Sequence, residues 1–305
     1  MERFHGKEFH ENAIRLNCGR NALAYLIEAY GIKRIVLPFF LCGSVVEVCK
    51  KYSVEVHFYS IREDFSPILP ASLTSSDWVY IVNYYGQLDY SRMRNVGTEN
   101  IIVDNAQAFF RMPLPEVPTL YTCRKFFGVS DGGYLYTSRL LDRMLEVDQS
   151  YNRMDFVLGR FERPASEFYR AASENNSFFS EQPVMGMSLL TRNLLRAVDY
   201  EEAKRKRTEN FLYLHSVLGK QNKLKLVVPE GAFAYPLYAD DGMRMRKQLA
   251  QNKIYIPTLW PDVLDNCPKD SIEYQYAANI LPLPVDQRYG EGEMEYMMKM
   301  LEELI

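Results

Sequence analysis

Residues 102–108 read IVDNAQA, and residues 121–136 read YTCRKFFGVSDGGYLY. Asp104 comes directly after an apolar run that has the length and composition of a buried strand. Lys125 follows the next such run, 21 positions later, and a glycine-containing turn separates it from a further strand. Because ligands of parallel sheets bind outside the carboxyl ends of the strands, these two side chains mark a candidate site.

The first 137 residues alternate between helical and strand patterns. Apolar residues recur every three to four positions in the predicted helices, whereas the predicted strands are continuous apolar runs. This alternation is typical of an α/β fold in which helices cover both faces of a mostly parallel sheet. Helices are predicted at residues 21–30 and 44–51, and strands at residues 33–38, 54–59, 78–83, 100–104, 119–122 and 133–137.

The second half of the chain predicts a smaller unit. Residues 140–220 are rich in helix formers and charge, and residues 221–284 have the pattern of a small α/β lobe. We therefore predict a large domain at residues 1–220 and a small C-terminal domain at residues 221–305. The predicted elements of the small domain are strands at residues 223–228 and 234–239 and helices at residues 242–252 and 291–304.

The composition argues against several classes of partner. With 36 Lys and Arg against 39 Asp and Glu, the formal net charge is -3, so neither nucleic acid nor an anionic membrane is expected to bind. No apolar run reaches the roughly 18 residues that a membrane span needs. The five cysteines are odd in number and lack a pairing pattern, which predicts reduced thiols and a cytoplasmic location. Apart from a weak pair, His5 and His10, the four histidines lack the spacing of a metal site, so none is expected.

Asp104 and Lys125 each have an ordinary structural interpretation beside a functional one. A carboxylate at a strand end is costly to bury unless a cation pairs with it, but an Asp in this position also commonly caps a helix. A lysine flanked by aromatic residues such as Phe126 can have a lowered pKa and act as an amine nucleophile, whereas most lysines in loops face solvent. The two residues together favour the functional interpretation.

Further segments add to the acid and lysine segments: CGRNAL at residues 18–23, NYYGQ at residues 83–87 and LPLP at residues 281–284. Together they resemble the DegT/DnrJ-type sugar aminotransferases, a branch of the fold-type I enzymes that use pyridoxal 5′-phosphate (PLP). The acid and lysine segments are the specific ones. The resemblance covers residues 12–137 well, residues 275–305 moderately and the middle of the chain weakly.

The resemblance implies PLP as the cofactor and gives roles to residues of this chain. Lys125 is implied to bind PLP covalently, and Asp104 to meet the pyridine nitrogen and keep it protonated. Gln107 is implied to contact the ring oxygen. The phosphate is expected at a helix start, where free N–H groups and the helix dipole favour anions. The residues implied there are Gly19, Arg20 as a bidentate donor, Asn21, which also suits a simple helix cap, and Thr122.

Two features depart from the family pattern. Cys42 stands where an aromatic residue usually stacks on the PLP ring, so Phe40 or Tyr84 is the expected substitute. The segment in which a neighbouring subunit offers an asparagine is not recognisable, and residues 185–188 are the closest stretch. These departures bear on the sugar substrate more than on the cofactor.

Two hypotheses on function follow from the resemblance. The first is an aminotransferase that moves an amino group from an amino acid donor to a keto-sugar in glycan biosynthesis, with Lys125 as the general acid and base. A lysine at this position argues against the dehydratase members, which have a histidine there, and fold-type I sites imply a homodimer. The second hypothesis is a relative without catalysis that keeps the fold and acts in binding or assembly.

Overall fold

The computed structural model describes residues 2–93 and 96–304, apart from the side chains of residues 92 and 93. Its centre is an eight-stranded sheet flanked by helices, which confirms the predicted α/β class. The strands are β1 (Ile14–Leu16), β2 (Arg34–Pro38), β3 (Glu55–Ile61), β4 (Pro67–Ile68), β5 (Trp78–Val82), β6 (Ile101–Asp104), β7 (Thr119–Thr122) and β8 (Gly133–Tyr136).

The strand order is β1-β8-β7-β6-β5-β2-β3-β4, and its middle is parallel. β2 pairs parallel with β3 and with β5, and β6 pairs parallel with β5 and with β7. The outer strands pair antiparallel: β8 with β7 and β1 with β8 on one side of the sheet, and β4 with β3 on the other. The carboxyl ends of β2, β5, β6 and β7 therefore lie along one edge of the sheet, where ligands of such sheets bind.

Helix α1 shows how the sequence pattern becomes structure. Leu23, Leu26 and Ile27 recur at helical spacing and are buried, and Gly31 ends the helix at a φ of 63°. The helices are α1 (Gly19–Tyr30), α2 (Gly43–Lys51), α3 (Tyr90–Met93), α4 (Asp155–Glu162), α5 (Tyr169–Glu181), α6 (Leu189–Leu195), α7 (Tyr200–Leu218), α8 (Gly242–Gln251), α9 (Asp262–Asn266), α10 (Ile272–Asn279) and α11 (Glu291–Glu302). Within the described residues, none of them has the length and apolar character to cross a membrane.

A second, smaller sheet lies in the C-terminal part of the chain. β9 (Ala234–Tyr238) pairs antiparallel with β10 (Ile280–Pro284). The hydrophobic cluster around this sheet also takes in Phe211 and Leu214 of α7, together with residues of α8 and α11. The domain boundary near residue 220 stays a prediction.

The predicted strand at residues 223–228 is wrong. The segment is irregular, because its backbone bonds to a side chain where a strand would bond to a neighbouring strand. The Gln87 amide donates to the carbonyl oxygen of Val227 at 3.0 Å and accepts from its N–H at 2.8 Å. The Gln87 side chain thus anchors the backbone of this segment, and Val227 and Val228 remain exposed.

The polar N-terminal segment packs into the molecule and buries two ionisable side chains. Glu8 accepts from the hydroxyl of Tyr134 and from Arg15, both at 2.9 Å. The His10 ring is fully buried, with Nε2 at 2.8 Å from the carbonyl oxygen of Phe109. Burial lowers the pKa of His10 from 6.5 to about 4, so the fold favours the neutral ring.

We expect His10 to make the fold sensitive to mild acid. The unfolded chain binds the proton near the usual His pKa and the folded chain only near pH 4, so stability that is complete above pH 6.5 is lost as the pH falls toward 4. The free energy of unfolding should drop by about 3 kcal/mol across this window. Urea denaturation at a series of pH values measures this drop.

Two variants separate His10 from the other titrating groups. His10→Gln should remove most of the drop between pH 6.5 and 4, whereas His5→Gln, at an exposed position of the same segment, should keep it. An unchanged pH dependence in His10→Gln would contradict the assignment.

Candidate active site

Three neighbouring strands carry the candidate residues to one edge of the sheet. Asp104, the last residue of β6, pairs with Val82 of β5 on one side and with Leu120 of β7 on the other. β7 continues to Thr122, which is buried, and Lys125 follows in the next turn. The parallel register therefore brings Asp104 and Lys125 to the same place in the fold.

Asp104 is a buried carboxylate that hydrogen bonds hold in position. Its Oδ2 accepts from the hydroxyl of Tyr80 at 2.8 Å, and its Oδ1 accepts from the N–H of Ala106 at 2.8 Å. Residues 105–110 form turns, so Asp104 caps a turn and not a helix. Burial raises the pKa of Asp104, and the charge of Lys125 opposes that rise.

Lys125 combines accessibility with a crowded environment. Its side chain reaches solvent, yet the surrounding protein lowers the pKa of the ammonium group by desolvation, an effect that the nearby Asp104 carboxylate opposes. Nζ lies 5.5 Å from the centre of the Phe233 ring. An accessible amine with a lowered pKa is a better nucleophile and base at neutral pH than an ordinary lysine.

Gln107 presents an unused donor next to Asp104. The backbone N–H of Tyr85 can only donate, and it donates to Oε1 of Gln107 at 2.8 Å, which fixes the orientation of the amide. Nε2 is then buried without a hydrogen-bond partner among the described residues. A buried donor of this kind is costly unless a ligand accepts from it.

The start of α1 is placed as the sequence predicts, but the side chain of Arg20 turns elsewhere. It donates to Ser180 Oγ at 2.9 Å and to the backbone and side-chain oxygens of Asn176 at 2.9 and 2.6 Å. Both partners belong to α5, so Arg20 docks that helix, and its expected bidentate bond to a phosphate competes with these contacts. A Cβ added at Gly19 would contact only Leu120 Cδ1, at 3.9 Å. Steric crowding therefore does not require glycine at this position.

Asn21 also has a structural engagement. Its buried amide donates to Asn17 Oδ1 at 2.6 Å and to the carbonyl oxygen of Pro183 at 2.9 Å. The side chain thus joins the helix start to distant parts of the chain, and its backbone N–H lies within hydrogen-bonding reach of the Cys18 thiol. A phosphate contact by the Asn21 side chain is not supported.

The expected ring-stacking residues lie in the core. Tyr84 is fully buried, packs against Phe40 and Trp260, and donates from its hydroxyl to the carbonyl oxygen of Phe40 at 2.6 Å. Phe40 is equally buried. Cys42 is exposed at the start of α2 and close enough for its charge to act on the pKa of Lys125. The burial of Tyr84 and Phe40 does not favour stacking on a ligand, so Cys42 is the side chain of the three that faces the site.

The sequence does not single out Arg207, which supports the backbone beside Lys125. This fully buried guanidinium donates to the carbonyl oxygens of Ala232 at 2.9 Å and Phe126 at 3.3 Å, and to Gln287 Oε1 at 2.6 Å. Gln287 also donates to the carbonyl oxygen of Phe126, at 2.8 Å. A buried arginine in a charged helix start looks like surface charge in the sequence, so no local signal reveals it.

No family model matches the sequence, and no curated protein matches it either. Solved structures match its fold. DesV of S. venezuelae, in complex with a ketimine intermediate, has a TM-score of 0.68 at 16% identity over 96% of this chain and 84% of that one. A DegT DnrJ EryC1 StrS aminotransferase from Brucella abortus has a TM-score of 0.65 at 14% identity over 96% and 85%. Spr1654 from Streptococcus pneumoniae, described as a sugar aminotransferase and solved in a PLP form, has a TM-score of 0.67 at 14% identity over 96% and 88%.

The chain has the fold of the DegT/DnrJ-type sugar aminotransferases. In that fold, the residues at the sheet edge fit PLP on three counts. Asp104 has acceptor capacity left for a ring N–H, since each oxygen accepts one bond from protein. Gln107 has a free buried donor for a ring oxygen, and Lys125 has an accessible amine for an aldehyde. These three side chains would hold the ring.

We expect Arg207 to contribute far more to the free energy of unfolding than the exposed arginines of α7 do. Burial lowers the pKa of Arg207 to about 10, and its donors serve backbone carbonyls that have no access to water. Arg207→Met should lower the free energy of unfolding by about 2–4 kcal/mol, because buried acceptors lose their donors. Chemical denaturation measures this change.

Arg205→Met is the matched control on the same helix. Arg205 is exposed and pairs with Glu202 and Glu209, so its removal should cost less than about 1 kcal/mol. Equal losses of unfolding free energy in the two variants would show that the buried contacts of Arg207 stabilise the fold no more than an exposed ion pair does.

Proposed function

We propose that this chain is a PLP-dependent aminotransferase that moves an amino group from an amino acid to a keto-sugar. The observation that carries the proposal is the meeting of an accessible amine, Lys125, with a buried carboxylate, Asp104, at neighbouring strand ends. The two charges act on each other's pKa, which supports a shared site for both groups. A single ring contacting both is the simplest ligand for that arrangement.

Each residue has a task that its environment suits. PLP, when bound, would supply an electron sink that makes the proton on the substrate Cα easier to remove. Asp104 would hold a proton on the ring nitrogen, because a buried carboxylate gains most from a cationic partner. Lys125, with its lowered pKa, would take the proton from the substrate Cα through Nζ. Gln107 Nε2 would orient the ring by donating to its oxygen.

The proposal that the acceptor is a sugar is based on the similarity in fold. The similar structures include proteins described as sugar aminotransferases, among them Spr1654 in PLP and PMP forms and CalS13 from Micromonospora echinospora. We extend their class of acceptor, a keto-sugar, to this chain as part of the proposal. A cytoplasmic location and a separate small domain at residues 221–305 complete the proposal and rest on the sequence patterns described above.

Substitution of Lys125 tests the function directly. Purified protein reconstituted with PLP should show the visible absorbance of lysine-bound PLP, and amino acids should bleach it in a half-reaction. Lys125→Ala should lose that absorbance and at least ~100-fold of the half-reaction rate, because the proton carrier is gone. Lys33→Ala is the control, since Lys33 is exposed just before β2, at the opposite edge of the sheet. A Lys125→Ala protein that keeps the absorbance would overturn the assignment.

Asp104→Asn tests the acid separately, with a result that a structural role would not give. Because burial raises the pKa of Asp104, its ionised form costs stability above the pKa of the unfolded chain, and Asn should raise the melting temperature of the PLP-free protein at pH 7. The same change should slow the half-reaction by at least ~100-fold. A coloured protein that reacts with no amino acid in a broad panel would instead favour the non-catalytic relative.

We also propose that two copies of the chain associate. Several large apolar side chains in residues 140–169 are exposed to solvent. They include Met144 and Phe161, each 95% exposed, and Tyr169, 76% exposed. Where large apolar side chains of this kind form one patch, another protein commonly covers it. A second copy is the occupant that we infer, because fold-type I sites are implied to lie between subunits.

The dimer prediction is checked by mass measurement in solution. The unaltered protein should elute with the mass of two chains, and Phe161→Glu should raise the dissociation constant at least ~10-fold, since a charge replaces an apolar contact. Tyr255→Glu, a similarly exposed aromatic outside this segment, should leave the mass unchanged. A monomeric unaltered chain would disprove the association.

A further inference from the structure

Two arginines meet without a carboxylate to balance them. The Nη2 atoms of Arg20 and Arg124 donate to the same oxygen, Asn176 Oδ1, at 2.6 and 3.2 Å. No ion pair includes either guanidinium among residues 2–93 and 96–304. A neutral amide oxygen between two cations leaves a local excess of positive charge, which an anion would relieve.

The start of α1 adds to this positive charge. Arg20 is the second residue of this 12-residue helix, and Cys18 is its N-cap residue. Arg124 lies close enough for its charge to act on the pKa of the buried Cys18 thiol, so its guanidinium is near the helix start. The first N–H groups of the helix already bond to Cys18, so it is the helix dipole at this end that favours an anion.

Arg124 has more unused donors than Arg20. Arg20 already donates to Ser180 and twice to Asn176. Arg124 donates once, to Asn176, and its Nε is buried without a hydrogen-bond partner in the described part of the chain. Its guanidinium lies 4.6 Å from the centre of the Phe179 ring, which holds the group in place.

Asp131 does not fill the role of the missing anion. It is buried, and its charge acts on the pKa of Arg124 from a distance. Its oxygens already accept from the N–H and hydroxyl of Ser188 at 2.8 Å and from the hydroxyl of Thr191. The excess charge around Arg124 is therefore left for a ligand.

We propose that Arg124, with the start of α1, binds the phosphate group of the cofactor, and that Asn176 stands in the place of a phosphate oxygen. Arg20 then serves mainly to dock α5. The inference rests on the proposed function, since Lys125 is the next residue and would bind the aldehyde of the same ligand. It assigns the phosphate contact to a residue that directly precedes the reactive lysine.

The comparison of PLP with pyridoxal, which lacks the phosphate, tests the inference. In absorbance titrations, Arg124→Met should weaken PLP binding by about 10- to 100-fold, the usual effect of losing a charged hydrogen-bond donor. Pyridoxal should bind to Lys125 with the same affinity in both proteins. Inorganic phosphate should raise the melting temperature of the unaltered PLP-free protein and not that of Arg124→Met.

Two further variants guard the test against misfolding. Arg124→Lys keeps the charge but loses the planar fork, so it should fold and lose part of the PLP affinity. Arg139→Met removes an exposed arginine that packs on Tyr30, at the other end of α1, and should change neither affinity.

The outcomes separate this inference from the proposed function. If the unaltered protein gains no visible absorbance with PLP, the function itself fails. If it does, and both Arg124 variants bind PLP as tightly as the unaltered protein, the function stands and the phosphate role of Arg124 is wrong. An equal loss of affinity for PLP and pyridoxal would also overturn that role, because it would point to a general disturbance of the site.

Discussion

A buried carboxylate that lacks a contacting cation is the constraint on which this site depends. Asp104 is held by a tyrosine hydroxyl and a backbone N–H, and neither carries a full charge. The cation that acts on its pKa, Lys125, is itself desolvated. Burial therefore favours the neutral form of both groups, whereas the attraction between them favours the charged forms. Such a pair is unfavourable for the protein alone. It becomes favourable when a ligand supplies a cation to the acid and an electrophile to the amine.

The sheet keeps this pair together and the loops around it fix the details. The parallel register of β5, β6 and β7 is set by continuous apolar strands, and it leaves Asp104 at a strand end with little freedom to move. On one side, the backbone of Tyr85 orients the Gln107 amide. On the other, Arg207 and Gln287 both hold the carbonyl oxygen of Phe126, one residue from Lys125. The site is thus ordered by contacts that do not themselves touch a substrate.

The parts of the structure that depend on local pattern could be predicted from the sequence. The strands at residues 78–83 and 119–122 follow from apolar runs, and Asp104 and Lys125 stand out because they end such runs. The directions of the Arg20 and Asn21 side chains could not be predicted, because their partners Asn176 and Pro183 lie more than 150 positions away in the chain. Residues 223–228 have the composition of a strand, yet one glutamine side chain takes the backbone bonds that a strand would use.

The candidate site contains groups of both charge signs that lack a contacting counter-charge among the described residues. Arg20 and Arg124 concentrate positive charge near the start of α1, and Asp104 is a buried carboxylate at the end of β6, with Lys125 next to Arg124 in the chain. A molecule with an anionic phosphate and a ring nitrogen that can take a proton complements both charges. Since neither is balanced by a contacting charge from the described chain, each costs stability in the protein alone. A ligand that carries both an anionic group and a protonated nitrogen would offset both costs at once.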